Sequence, residues 1–546
     1  MQEKPPMPTQ QPYQQQSYEQ APPPYQQQQP YPQQQPYQQQ QPYPQQQIYP
    51  QQQAYPPQQP YPPQQPYPPQ QPYPPQQPPI QQVQPPPVIY VSTSPAAPAP
   101  IQANTRWRNR PQTNATSTAG IIFLSGGMNM ALGVGWSEGG FFGTSYQFCF
   151  SWFIGVICAT LVSLPLLRIT TTKIIMGFAT LLILIGGILF TSGPDEYNTM
   201  LAGRYLNGIA VGLVIVPFFM NASEIADVGY RGACLSVEQY SMTLGIAIQM
   251  IYASYWNTSV DFPANRLHGI LDIIYALLAA GSLVTVVESP IEQIRKGNDN
   301  AALETIARLR RPAYVTVETN ALLEQYKSYV SEEENLSLVA SLTRGIVPLV
   351  KLLLVRSMLV AFCFSTPLNL SMYYSTLRTG YTWAPTVSAI FRVLGGILAV
   401  GMVDNANRKF PSIFTVAIFG SLLIGLGSLF TSYTSIYYFS DMESAVYLYM
   451  FLQLFAGFFV PYTSIYLGEA FPLRVKPILI ALVVIMEQVI HIIFIETYGV
   501  IIGNNLIAQG VISLVMFFVF IAIIPETRNT TLAEAQRRFR TLITFR

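Results

Sequence analysis

Twelve apolar stretches, each long enough to cross a bilayer, constrain this chain more than any other feature. They run roughly over 116–136, 142–166, 172–192, 199–222, 233–256, 267–288, 346–376, 383–403, 411–432, 444–467, 477–499 and 504–524. A hydrocarbon core about 30 Å thick needs about 20 apolar residues of helix. No backbone group inside it is left unpaired, so segments of this length and apolarity span as helices. The expected fold is all-α, a membrane protein of twelve transmembrane helices. Asp, Glu, Lys and Arg make up 10% of the 546 residues, against about a quarter in a soluble domain. The 29 basic and 27 acidic residues nearly cancel, which argues against nucleic acid and leaves the lipid bilayer as the partner. Cys149, Cys158, Cys234 and Cys363 lie in or beside apolar runs without C-x-x-C spacing. They read as packing residues, neither disulfides nor metal ligands. No redox, nucleotide or metal motif calls for a cofactor, and the chain does not read as an enzyme. No cleavable signal precedes the first run, which would itself serve as the signal anchor.

Charge sets the expected orientation. With the N-terminus inside, Arg168, Lys173, Arg231, Arg408, Lys409, Arg474 and Lys476 fall on cytoplasmic loops. The opposite loops hold Glu138, Asp195, Glu196, Asp261, Asp441 and Glu443, with Arg266 and Arg378 as their cations. That is the positive-inside pattern, with both termini cytoplasmic. Asn257, in an N-x-S sequon, then lies on an outer loop as a candidate glycosylation site. The plasma membrane is the expected location.

Residues 1–105 are a Pro/Gln/Tyr-rich tail in which tyrosine recurs every sixth residue from Tyr25 to Tyr73. Such a segment buries too little apolar surface to offset the entropy of ordering, so disorder with polyproline II character is expected. Pro22, Pro23, Pro24 and Tyr25 spell the P-P-x-Y pattern that WW domains bind. In so Pro-rich a tract the same text also fits plain low complexity. The chain continues with six of the runs over 106–288, a cytoplasmic linker of helical periodicity and mixed charge over 289–345, six more runs over 346–528 and a tail over 529–546.

One stretch carries a resemblance. Gly203-Arg204 opens the fourth run, Gly208 and Gly212 follow four residues apart, and Glu224-Ile225-Ala226 precedes Arg231-Gly232. Small residues at that spacing let a neighbouring helix come close. The whole string resembles the fourth helix and following loop of the sugar porter family of the major facilitator superfamily. Glu288-Ser289-Pro290 resembles that family's PESP motif, with Val287 for its first proline. Pro525-Glu526-Thr527-Arg528 resembles PETKG, and Glu469-Ala470-Phe471-Pro472 resembles E-I-F-P. Asp404, Arg408 and Lys409 match part of D-R-x-G-R-R, with Asn405 and Asn407 at two fixed positions. After the second run, however, Leu167 stands at the family's aspartate and only Arg168 survives cleanly. One inner charge latch is therefore missing or rebuilt. Residues Gly135-Trp136-Ser137 lean toward an animal branch of the family that includes insect sugar facilitators.

The resemblance implies two six-helix bundles that rock about a central site. Arg204, Glu224, Arg231, Asp404, Arg408 and Glu469 would serve the conformational switch. Gln239 matches the family's fifth-helix glutamine, and Asn369, four residues before Tyr373-Tyr374, matches its seventh-helix asparagine. Amides both donate and accept hydrogen bonds, as sugar hydroxyls require, and aromatics cover a sugar ring. Cys363 and Phe364 replace two family glutamines and Ser464 replaces a tryptophan, so half of the hexose site is present. Arg392 and Glu487, beside Gln488, stand at family asparagines. Such a pair would either neutralise itself as a salt bridge, bind a charged substrate, or carry a proton. His491 lies one turn from Glu487, as a packing residue or a relay. The substrate-binding set is therefore Gln239, Asn369, Tyr373, Tyr374, Arg392, Glu487 and Gln488. The implied function is facilitative transport of a hexose or disaccharide. A carrier of an organic anion or proton-coupled solute, and a non-transporting sensor or scaffold, are the alternatives.

Overall fold

The apolar stretches become helices wherever polar caps and prolines delimit them. The computed structural model describes residues 105–137, 145–254, 262–432, 434–497 and 502–544. The Pro/Gln/Tyr tract with its P-P-x-Y text, and Asn257, lie outside the described residues. In the first half α1 (Thr105–Ala115) leads into α2 (Ser117–Gly133), α3 (Tyr146–Ile169), α4 (Thr172–Ser192), α5 (Tyr197–Ile225), α6 (Arg231–Ala253) and α7 (Ala264–Ser282). The Ser145 hydroxyl accepts from the Phe148 amide at the start of α3, and Thr171 does the same for Ile174 in α4. These are N-caps that satisfy amides otherwise orphaned at a helix start.

The connection between halves is helical: α8 (Pro290–Arg295), α9 (Asp299–Arg308), α10 (Val317–Glu334) and the first turns of α11 (Leu338–Leu352). Ser289 caps α8 with Pro290 in its first turn, so the PESP-like text is a helix start. For that reason the sixth span ends earlier than expected, near Ser282, and residues up to Ser289 run on as a short 3-10 turn and extended chain. A reciprocal Thr316–Thr319 capping box opens α10.

The seventh span is the one that departs most from a continuous rod. After α11 come a π turn (Leu353–Met358), a single α turn α12 (Leu359–Phe362), a break at residues 363–365 and α13 (Thr366–Thr379). Pro367, in the first turn of α13, cannot donate an amide and disfavours helix in the residue before it. The second half continues with α14 (Ala384–Met402), α15 (Lys409–Ser428), α16 (Phe439–Glu469), α17 (Lys476–Glu496) and α18 (Ile502–Ile523), and α19 (Leu532–Arg540) closes it. Among the described residues, 10 helical segments are long and apolar enough to cross a membrane. The 17-residue α2 and the polar-interrupted α6, carrying Arg231, Glu238, Gln239 and Gln249, complete the twelve.

Close approach inside the first half rests on the expected glycines. A Cβ on Gly208 would meet the Trp152 carbonyl, and one on Gly212 the Val156 carbonyl, so α5 lies directly on α3. The halves meet where α14 and α16 pack on α6, and where α17 packs on α3 and α5. That seam places the polar groups described next.

Candidate functional site: two ionic clusters on the seam

At the end of the bundle that carries the linker, a cluster of charges crosses the seam. The Asp404 carboxylate accepts the Gly232 and Ala233 amides at 3.0 and 2.8 Å. These are free amides of the first turn of α6, where a helix favours an anion. Arg408 Nη2 donates to Asp404 at 2.8 Å and its Nη1 to Glu469 at 3.0 Å. Arg231, from the other half, reaches Glu469 through Nε at 3.0 Å and also donates to the Thr530 carbonyl. A Cβ on Gly232 would strike the Asp404 carboxylate, which explains a glycine beside Arg231. The Thr527 hydroxyl accepts from Arg408 at 3.2 Å, so the PETKG-like text joins the same cluster.

Glu224 takes its partners from further along. Ser289 donates to its carboxylate, and Lys476 Nζ lies 4.0 Å away while donating to the Ser223 hydroxyl. Leu167 supplies no charge here, and Glu224 faces a lysine of the opposite half. Arg168 instead is exposed at the rim of a cavity of about 590 Å³ that Glu224, Glu288 and Arg474 also line.

Five of the six expected switch residues therefore meet at one end. Arg204 does not. Twenty residues before Glu224 on α5, it sits about 30 Å of helix away. It donates to the carbonyls of Asn129 at 2.6 Å, Phe148 at 2.9 Å and Cys149 at 3.2 Å, and lies 4.7 Å over the Phe148 ring. Its role in the structure is to join α2, α3 and α5 within one half.

Deeper in the seam lies a second ionic cluster. Arg356, on the π turn, donates through Nη2 to Glu238 Oε1 and through Nε to Glu487 Oε2, both at 2.8 Å. Its Nη1 reaches Glu238 Oε2 and the Thr463 hydroxyl, both at 3.1 Å. The Ser464 hydroxyl donates to Glu238 at 2.7 Å, and Gln239 Nε2 donates to it at 2.8 Å. All three charged side chains are buried. Glu238 belongs to the first half, Arg356 and Glu487 to the second, so this guanidinium bridges the halves. In the absence of partners neither charge type is tolerated at such depth.

This corrects the pairing of Arg392 with Glu487 suggested by their positions. Arg356 already holds Glu487, and Arg392 turns away. Its Nη1 donates to Gln453 Oε1 at 2.7 Å and to the Cys363 carbonyl at 3.1 Å, and its guanidinium carbon lies 4.9 Å over the Phe364 ring. The break ahead of Pro367 is what frees the Cys363 carbonyl. Asn369 joins this side: its amide donates to the Val134 carbonyl across the seam at 3.0 Å and accepts the Tyr449 hydroxyl at 3.0 Å. Tyr373 and Tyr374 are half-buried, edge to face at 5.8 Å. Gln488 donates to the Val484 carbonyl at 3.4 Å.

Several buried polar atoms on these helices have no hydrogen-bond partner among the described residues. They are Arg392 Nε on α14, Gln453 Nε2 on α16, and Gln488 Oε1 and both His491 nitrogens on α17. His491 stacks on Phe153 of α3, ring centres 5.1 Å apart, so it faces the first half. Each such atom costs about 1–3 kcal/mol if nothing pairs it.

Two functional-looking features escaped the sequence. Arg356 is one of two cations, with Lys351, inside the seventh apolar run, and a buried charge in such a run signals a paired or functional group. His268 and Asp272 lie inside the sixth run, buried and 3.4 Å apart. Ser125 donates to Asp272 at 2.6 Å, and Tyr252 meets His268 at 2.8 Å.

Comparison with known proteins fits this architecture. The family described as "Sugar (and other) transporter" matches residues 113–539. The major facilitator-type transporter ecdD of Aspergillus rugulosus is 23% identical over 308 residues, 53% of this chain and 56% of that protein. D-xylose-proton symporter-like 1 of Arabidopsis thaliana is 23% identical over 412 residues, 70% of this chain and 79% of that protein. Among solved structures, the proton:xylose symporter XylE bound to 6-bromo-6-deoxy-D-glucose superposes with a TM-score of 0.63. That match covers 79% of this chain and 100% of the other at 18% identity, a likeness of fold. A family match that spans every helix from α2 to α18, on twelve spans in two bundles, makes the chain a member of the sugar (and other) transporter family, a sugar porter of the major facilitator superfamily.

Proposed function

We propose that the chain carries a monosaccharide across the membrane by alternating access, binding it on the seam among α6, α14, α16 and α17. The observation that carries this reading is the set of unpartnered buried atoms on Arg392, Gln453, Gln488 and His491. Donors and acceptors both occur among them, and a polyhydroxylated ring satisfies both kinds at once. Gln239 and Asn369 line the same seam, with Tyr373 and Tyr374 flanking it. A relative named for D-xylose supports a monosaccharide. The linker-end cluster of Arg231, Asp404, Arg408 and Glu469 acts as the gate that opens when the halves rock. By the distribution of basic loops that end is cytoplasmic, and the plasma membrane is the proposed site of action.

One observation favours a second reading. Arg392 is a buried cation with no carboxylate partner among the described residues, a feature suited to an anionic solute.

The test is counterflow in liposomes holding the purified protein. Labelled D-glucose, D-xylose, trehalose and citrate are each exchanged against the same unlabelled solute. Saturable exchange of a monosaccharide, abolished by Gln488→Ala together with Gln453→Ala, is expected. Exchange of citrate alone would replace the sugar reading by the second one.

A further inference from the structure

Arg392 is the single charged residue of the eighth apolar run, and the fold pins one edge of it. α14 and α16 touch at this level, where a Cβ on Gly457 would strike the Arg392 carbonyl and one on Gly395 the Leu454 carbonyl. That contact sets Gln453 of α16 beside the guanidinium. Nη1 donates to Gln453 Oε1 at 2.7 Å and to the Cys363 carbonyl at 3.1 Å, and the Phe364 ring lies 4.9 Å from the guanidinium carbon. Nε and Nη2 make no hydrogen bond among the described residues, and Nε is buried. The unspent edge, Nε with Nη2, is the fork that receives a carboxylate through two parallel hydrogen bonds. No carboxylate among the described residues takes it, since Glu238 and Glu487 are both held by Arg356. A buried cation without a counter-ion is expensive at this depth, and an anion on the ligand removes that cost.

We propose that the sugar bound here is a hexuronate, a monosaccharide whose ring bears one carboxylate, and that Arg392 selects it. This deepens the monosaccharide reading of the seam and rests on it. Charge counting sets the ligand class. Arg392 offers one positive charge and a hexuronate brings one negative charge, so the pair is neutral. Counted as ionised, Glu238, Glu487 and Arg356 already sum to one surplus negative charge. A second charge on the ligand therefore meets repulsion, with no cation left to offset it. A phosphate monoester carries about 1.5 to 2 negative charges at neutral pH, so a sugar phosphate exceeds what Arg392 neutralises. Citrate exceeds it further. A neutral hexose offers the fork only hydroxyls, which accept more weakly than a carboxylate. The ring hydroxyls of the hexuronate fall to Gln453 Nε2, Gln488 Oε1 and the His491 nitrogens, the unpartnered atoms of the same seam. Because Nη1 and Phe364 hold the guanidinium before the ligand arrives, little freedom is lost on binding.

The test uses the full chain purified in detergent at neutral pH, with binding read as ligand-induced thermal stabilisation. D-Glucuronate is compared with D-glucuronamide, its neutral amide of nearly the same shape, and with D-glucose, D-glucose-6-phosphate and citrate. In the wild type, D-glucuronate is expected to half-saturate at a concentration about tenfold or more below that of D-glucuronamide. Arg392→Asn is expected to bring the acid and its amide level. Arg392→Lys, which keeps the charge and loses the fork, is expected to restore part of the gap. Equal affinity for the acid and its amide in the folded wild type overturns the proposal, and that comparison needs no variant. Tightest binding by D-glucose-6-phosphate or citrate overturns it as well.

Counterflow of labelled D-glucuronate in liposomes joins binding to transport, and saturable exchange is the expected result. Exchange of D-glucose with D-glucuronate excluded rejects the hexuronate and leaves the monosaccharide reading standing. Failure to bind or exchange D-glucuronate, D-glucuronamide and D-glucose alike contradicts the monosaccharide reading itself, and the hexuronate falls with it.

Discussion

Glu469 shows how much one buried carboxylate can hold. Its two oxygens receive Arg231 from one half and Arg408 from the other, and it is fully buried. Burial alone would lower the Arg408 pKa, but Glu469 and Asp404 more than offset this and push it above the usual guanidinium value. Arg408 therefore stays charged at any pH the protein meets. Glu469→Gln takes the carboxylate from Arg231 and leaves Arg408 with Asp404 alone, and removal of one partner from a buried pair costs about 3–5 kcal/mol. A drop in melting temperature of the purified variant is the expected result. An unchanged melting temperature would mean that the cluster is already loosened by water. At this scale the sequence was partly legible. Glu224, Arg231, Asp404, Arg408 and Glu469 stood in recognisable text at helix ends, and they converge. Arg392 and Glu487 were seen as unusual, but their partners were not. Helix position alone cannot show that a π turn swings Arg356 into the gap, nor that a broken helix offers Arg392 a carbonyl. Arg204 looked like part of the switch because it shares a motif with Gly208 and Gly212, yet its partners are backbone carbonyls at the far end of α5.

At the scale of elements, prolines and glycines decide the shape of the seam. Gly208 and Gly212 let α5 lie on α3, and the four-residue spacing announced it. Gly208→Val should separate these helices, because the added side chain meets the Trp152 backbone rather than a flexible side chain. Overpacking of this kind costs about 1–3 kcal/mol, and thermal melting in detergent should show it as an earlier transition. A transition unchanged from the wild type would mean that α3 shifts without cost. The seventh span was less legible. Its apolar run reads as one rod over 346–376, since hydropathy does not register hydrogen-bond geometry. Pro367 stands inside that run. In the structure it starts a new helix, and the break before it frees the carbonyl that receives Arg392. The π turn ahead of it is the kind of irregularity that collects at functional sites in membrane helices.

For the whole molecule, the two ionic clusters mark two levels at which the halves are tied. The linker-end cluster joins α6 to α16 and to the loop after α14. The deeper one joins α6 to the seventh span and α17. On the proposed function, rocking about the seam would release the first, and α6 is the helix common to both. Twelve spans were readable from apolar length alone, because the bilayer imposes that length on any chain, whereas the two bundles came from the family resemblance. The level of the deeper cluster was not readable, because it depends on three helices distant in sequence meeting at one depth.

The chain carries its own reporter for this motion. Cys234 lies two residues after Gly232 on α6, beside the linker-end cluster, and is fully buried. Its alkylation by a membrane-permeant maleimide, read by mass spectrometry during D-glucose or D-xylose counterflow, tests the account most directly. Slow labelling at rest, and labelling accelerated several-fold by the exchanging sugar, is the predicted result. Sugar exchange that proceeds with Cys234 as protected as in the resting protein would contradict a gate that opens at the linker end.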